Sequence, residues 1–279
     1  MSQEGDVKAS LTFAVPQDSK PYFKSSALTG GAPEIFFKTE DCMVDIRNMR
    51  PVAGDLSLDR QGFVLLKNKT SIDDLYDDGA IERDYNREIV ELLKDYTGAD
   101  RAVIFDHTRR SDNNEGAANP DGPRGPADRV HVDYTPLSGP VRARDAMGGD
   151  DYDRVMKNGG RVVQINVWRP ISGPVKRTPL ALADAQSIKA EEMLATDQIF
   201  PDRVGEIYQV AHSPDQIWYW APQMERDEIL LIKGWDSEED DQTRYSAHGA
   251  FRLPGQNPED PPRESIETRT YVIFDGNSA

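Results

Sequence analysis

The feature that most limits the fold of this chain is the brevity of its apolar runs and the density of turn residues between them. Downstream of "RAVIFDHTRR" come "RVHVDYT", "RVVQINVWRPI", "PLALADA", "EIYQVAHS", "QIWYWAP", "EILLIKGWDS" and "SIETRTYVIFDG". Each is rich in β-branched and aromatic residues and is bounded by Gly, Pro, Asn or Asp, the pattern of short strands. Many strands with few helices predict an antiparallel barrel or sandwich. Upstream, "SLTFAV" and "EIFFKTEDCMVDI" read as extended, and "GFVLLKNKTSIDDL" as a strand leading into a Ser- or Thr-capped helix. The clearest helix is "IERDYNREIVELLKDYTG", where Ile81, Tyr85, Ile89, Leu92 and Leu93 keep helical spacing and Gly98 is a stop. A further helix is expected within "SGPVRARDAMGGDDYDRVMKNG".

Composition narrows the partners. A formal net charge of −16 over 279 residues disfavours nucleic acid and anionic membrane, whose phosphates need a positive surface. The apolar runs are too short to span a bilayer, which takes about 20 residues as a helix. Cys42 is the single cysteine, so no internal disulfide framework exists and a reducing, cytoplasmic setting is expected. The opening "MSQEGDVKAS" has no basic region followed by an apolar run, so no secretory signal is read there. A small-molecule substrate is the default partner. The oligomeric state stays open, a homodimer being one option.

In "RVHVDYT", alternation places His131 and Asp133 on one face of a strand, with Val130, Val132 and Tyr134 on the other. An imidazole beside a carboxylate makes two corners of a metal site. A two-His-one-carboxylate iron centre needs one more histidine, and His107, His212 and His248 are the candidates. Beyond His248, Arg263, Ser265, Glu267 and Arg269 alternate onto one face of "RESIETRTYVIF". A guanidinium with a hydroxyl two residues on suits a dicarboxylate, which it takes by parallel hydrogen bonds. At about 3.3 Å per residue, Arg263 and Arg269 lie about 20 Å apart along the strand and cannot hold one carboxylate together.

The ordered segments "HVDYT", "NVWRP", "PLALAD", "WYWAPQMERDEILLIKGWDS", "AHGAF" and "RESIETR" carry a family likeness. From about Ser10 onward, and most strongly from Arg129, the chain resembles the fungal and bacterial oxygenase family that includes gibberellin desaturase, aspergillic acid hydroxylase and cephem-methoxylase-related proteins. The resemblance implies a mainly β fold with flanking helices around a double-stranded β-helix (a jelly-roll, cupin-like core). It also implies iron(II), 2-oxoglutarate as cosubstrate and molecular oxygen. By motif, His131, Asp133 and His248 match the iron ligands, and Arg263 with Ser265 matches the cosubstrate anchor. Residues 1–279 then form one domain, with 1–100 as strand-and-helix support and 101–279 as the core. Two departures stand out: no proline precedes His248, and the Gly-, Pro-, Asn- and Asp-rich insert from Ser111 to Asp128 is long. Loops of that length are often lids.

The resemblance places "NVWRP" beside the pocket, so Asn166 is expected to bond the cosubstrate and Arg169 a substrate carboxylate; the plainer reading has Arg169 closing a surface ion pair. Arg269 is a second cosubstrate candidate, and Tyr134 and Trp220 are expected to touch substrate. Asp184 reads as a cap or turn residue, His212 as a loop residue, and Cys42 as a small buried one. Arg109 and Arg110 either meet an acidic substrate or offset an acidic surface. The activity implied is hydroxylation, desaturation or cyclisation of a specialised metabolite through oxidative decarboxylation of 2-oxoglutarate. The rivals are a zinc hydrolase on the same barrel and a non-catalytic binding protein.

Overall fold

A computed structural model of the protein describes residues 4–120, 122–240 and 242–276. Within them the strands are β1 (Val7–Ala14), β2 (Tyr22–Lys24), β3 (Glu34–Ile35), β4 (Thr39–Asn48), β5 (Phe63–Lys67), β6 (Arg101–Ser111), β7 (His131–Val132) and β8 (Arg161–Pro170). There follow β9 (Leu180–Ala183), β10 (Met193–Ile199), β11 (Val204–Val210), β12 (Trp218–Trp220), β13 (Glu228–Asp236), β14 (His248–Ala250) and β15 (Glu264–Phe274). A ten-stranded sheet runs β1-β4-β12-β9-β14-β7-β11-β10-β2-β3, and a five-stranded sheet runs β5-β13-β8-β15-β6. Pairing is antiparallel except between β2 and β10 and between β4 and β12. This is the double-stranded β-helix, or jelly roll. Its inner core joins the sheets: Phe63, Trp168, Leu230 and Ile232 from one pack with Leu180, Leu182 and Ala250 from the other.

Strands β8 and β13 are buried on both faces, because the five-stranded sheet is covered outside as well. There Tyr85, Ile89 and Leu93 pack on Val163, Ile165, Val167 and Ile266. Each such side chain contributes about 1.5–3 kcal/mol by leaving water. The α-helix runs Asn86–Thr97 and is preceded by a π-turn, Ile81–Tyr85, and ends where Gly98 takes φ 73° and returns its N–H to the Lys94 carbonyl. The expected Ser or Thr cap is not used. Thr70 Oγ1 and the Ser71 N–H instead donate to the Glu88 carboxylate, and the helical segment begins further on at Asp77, which accepts from the N–H groups of Gly79 and Ala80. The later helical segment is two helices, Ser138–Met147 and Gly149–Lys157, broken at Gly148 with φ 88°.

Residues 1–100 do not form a separate layer. Strands β1 and β4 belong to the ten-stranded sheet and β5 to the other, so the sheets ignore a boundary at residue 100. Strand β7 is shorter than "RVHVDYT" suggests. After Val132 the chain leaves the ladder for a turn in which Thr135 Oγ1 accepts from the N–H groups of Leu137 and Ser138.

Candidate metal centre

Strands β7 and β14 are neighbours, and His131 and His248 are direct partners across the ladder, with ring centroids 4.6 Å apart. Asp133 sits just past the end of β7, its Oδ1 3.5 Å from His131 Nε2. One ligand atom from each of His131, Asp133 and His248 falls within 4.8 Å of the others. Both imidazoles are oriented by the same device. His131 Nδ1 lies 2.8 Å from the Arg129 carbonyl, and His248 Nδ1 3.1 Å from that of Ser246. A carbonyl only accepts, so each Nδ1 carries the proton and each Nε2 keeps its lone pair for a metal. Burial, with His131 alongside, pushes the His248 imidazole down, which favours the neutral form. Burial opposes ionisation of Asp133, but the adjoining His131 imidazole and the charge of Arg269 outweigh it and hold the carboxyl well below its usual range. The other oxygen, Asp133 Oδ2, accepts from Asn166 Nδ2 at 2.5 Å, and Asn166 Oδ1 accepts from Gln164 Nε2 at 2.7 Å.

Three adjacent strands of the five-stranded sheet turn a polar face toward this cluster. The registers place Arg110 opposite Ser265, Thr108 opposite Glu267, and Asp106 and Asn166 on either side of Arg269. Arg263 and Glu267 line a small recess with His131, His248, Trp168, Leu180, Ala127 and Arg110. At about 20 Å³ it offers a foothold for one small polar group. A much larger cavity of about 1110 Å³ shares Arg110, Ala127 and His131 with it and is also lined by Asp133, Tyr134 and Arg269.

Arg263 is the group out of balance. It is 2 % exposed, donates from Nη1 to the Thr178 carbonyl at 2.8 Å, and leaves Nε and Nη2 buried without a partner. The nearby Asp112 carboxylate accepts from the Arg263 backbone N–H but pairs with the Arg177 guanidinium. Burial, reinforced by the like charge of Arg110, pushes Arg263 down to about 9. A buried cation with idle donors fits an anionic ligand that is bound there. The donor set and the recess therefore fit iron(II) and a dicarboxylate.

Several expected contacts fall elsewhere. Arg169 points away from the cavity: it is fully buried and donates to Tyr85 Oη and to the carbonyls of Asn68 and Arg226. Neither the substrate contact nor a surface ion pair describes it, because residues 166 and 169 are an odd number apart on one strand and face opposite ways. Trp220 packs on Phe251 in the core, donates from Nε1 to the Gly5 carbonyl, and is not among the cavity-lining residues. Asn166 bonds Asp133 instead of facing an open site. Arg269 is met by Asp106 at 2.6 Å and Glu267 at 2.8 Å. His107 and Arg109 are tied on or near the outer side, His107 to Thr268 and Asn86, Arg109 to Asp78 and the Leu75 carbonyl. His212 packs edge-on against Phe13, outside the cluster. Asp184 caps a short 3-10 turn by accepting from the Gln186 N–H, and Cys42 is half-buried at the edge of a core cluster.

Sequence reasoning left Arg110 without a definite place and missed Gln164. Gln164 has a traceable signal, two residues before Asn166 and so on the same face. Its room comes from β13: a β-carbon at Gly234 would meet Gln164 Oε1 at 1.9 Å, and the strand bulges there.

Two histidines, a carboxylate and an idle guanidinium on a jelly roll define the class of non-haem iron(II) oxygenases that consume a 2-oxo acid. Comparison with known proteins agrees. A family model described as "Oxidoreductase/YMDC permease-like domain" matches residues 11–273. No helix of the described residues is long and apolar enough to cross a membrane. The hydroxylase/desaturase efuI of Hormonema carpetanum is 30 % identical over 268 residues, covering 88 % of each chain. The hydroxylase/desaturase CTB9 of Cercospora beticola is 33 % identical over 262 residues, covering 87 % of this chain and 79 % of its own. Among solved structures, the iron and alpha-ketoglutarate-dependent endoperoxidase NvfI superposes with a TM-score of 0.84 at 29 % identity, over 99 % of this chain and 100 % of that one.

The chain belongs to this family of iron(II)- and 2-oxoglutarate-dependent hydroxylase/desaturases. It is a dioxygenase that uses iron(II), 2-oxoglutarate and molecular oxygen on a small-molecule substrate. Neither the zinc hydrolase nor the binding protein has support in these likenesses.

Proposed function

We propose that His131, Asp133 and His248 hold iron(II) and that Arg263, with Ser265 beside it, anchors a carboxylate of 2-oxoglutarate. The observation that carries the reading is the pair of partnerless guanidinium nitrogens of Arg263 in a recess shared with both histidines. When bound, the iron and its cosubstrate supply the oxidant for an unactivated C–H bond. The protein's own residues do the positioning. Carbonyls hold both imidazoles with Nε2 toward the metal, Asn166 reserves one oxygen of Asp133, and the aromatic and apolar wall of the large cavity displaces water.

The substrate in this reading is a specialised metabolite that occupies the large cavity against Phe105, Tyr134, Leu137, Val141 and Val204. Its transformation is hydroxylation, desaturation or ring closure. The setting is the cytoplasm, in keeping with the lone cysteine. The test is anaerobic titration: iron(II) followed by 2-oxoglutarate should produce a weak visible charge-transfer band. Succinate release across candidate metabolites should then identify the substrate. Absence of the band in protein that has bound iron would sink the proposal.

A further inference from the structure

We infer, building on that reading, that Arg110 is a second cationic contact for the 2-oxoglutarate dianion, so that two arginines share the cosubstrate. Arg110 lies on β6 directly across the ladder from Ser265, and it alone among the arginines lines both the recess and the large cavity. It donates from Nη1 to a neutral acceptor, the Gly125 carbonyl, at 2.9 Å.

The carboxylates around Arg110 are committed elsewhere. Glu267 and Asp106 both pair with Arg269, and Asp112 pairs with Arg177. Among the described residues, Arg110 therefore stands beside Arg263 without an ion pair of its own, the Glu267 carboxylate that lines the recess with them being paired with Arg269. Two guanidiniums brought together in a largely buried place repel each other unless an anion lies between them.

The charges of the recess itself point to which anion this is. Arg110 and Arg263 line it with Glu267, whose carboxylate pairs with Arg269, and with both histidines. Iron(II) would add two positive charges beside them, and the dianion of 2-oxoglutarate offsets those two. Both arginines are thus assigned to the cosubstrate.

The test uses iron-loaded protein without oxygen, reading 2-oxoglutarate binding by the charge-transfer band and iron binding separately. Arg110→Met should raise the 2-oxoglutarate dissociation constant at least about tenfold, the scale of one charge-assisted hydrogen bond, with iron affinity unchanged. Arg110→Lys, which keeps the cation if the methionine variant folds poorly, should fall between Arg110→Met and the wild type. Binding within about twofold of wild type in a folded Arg110→Met protein, roughly 0.4 kcal/mol by the usual conversion, overturns the inference. Wild-type protein that binds iron but no 2-oxoglutarate would instead overturn the functional reading beneath it.

Discussion

Arg169 and Arg263 occupy opposite faces of one five-stranded sheet, and both are almost wholly buried. On the outer face, Arg169 is consumed by Tyr85 and by the carbonyls of Asn68 and Arg226. On the inner face, Arg263 spends one nitrogen on a carbonyl and holds two idle. The same contrast separates the histidines: His107 has both ring nitrogens occupied by Thr268 and Asn86, whereas His131 and His248 each keep Nε2 directed at the cluster. Burial and charge are therefore common to both faces. What marks the site is bonding capacity left over after the fold is complete, since a structural polar network is closed by its own partners.

The sharpest way to break this contrast is at the inner histidines. His131→Ala or His248→Ala should abolish turnover and iron binding while leaving the thermal transition in place, measured by succinate release, metal analysis and calorimetry. Activity retained by His248→Ala would remove it from the proposed triad.

The two arginines should then exchange phenotypes. Arg263→Ala should weaken 2-oxoglutarate by a hundredfold or more, about 3–5 kcal/mol, with iron affinity nearly intact. Arg169→Ala should cost a similar amount in denaturant stability, because the carbonyls it serves lose their donor. Its 2-oxoglutarate affinity, measured in the folded fraction, should stay near wild type. The reverse assignment would erase the distinction between the faces.

His107 sharpens the contrast through pH. Burial, above all, pushes its imidazole down to about 4, so between that value and the ordinary 6.5 the unfolded chain binds a proton that the folded one refuses. Its contribution to stability is therefore full above about pH 6.5 and falls as pH drops toward 4, by no more than about 3 kcal/mol. His107→Gln should flatten that part of the stability–pH curve in urea titrations. An unchanged slope would mean that another group carries it.

The smallest expected effect is at Ser265→Ala. Losing one hydroxyl beside a charged ligand should cost about 1.5–3 kcal/mol of 2-oxoglutarate binding, less than Arg263→Ala in the same titration. Equal losses would mean that the hydroxyl, not the guanidinium, is the main anchor.

Much of this was legible in the sequence. Short alternating runs between turn residues sufficed for an antiparallel barrel or sandwich, because a strand exposes its two-residue period locally, and the family likeness narrowed that to a jelly roll. The same period put His131 with Asp133, and Arg263 with Ser265, Glu267 and Arg269. It also carried a warning that went unread: Asn166 and Arg169 cannot share a face. Tertiary structure alone decided the rest. Register between β7 and β14 brings His248 to His131 across more than a hundred residues, and register between β6 and β15 sets Arg110 beside Ser265. Only packing showed which buried charges already have partners, as Arg169 does, and which, like Arg263, wait for one. Strand periodicity is a property of neighbouring residues, whereas hydrogen-bond satisfaction is fixed by groups that meet only when the sheets close.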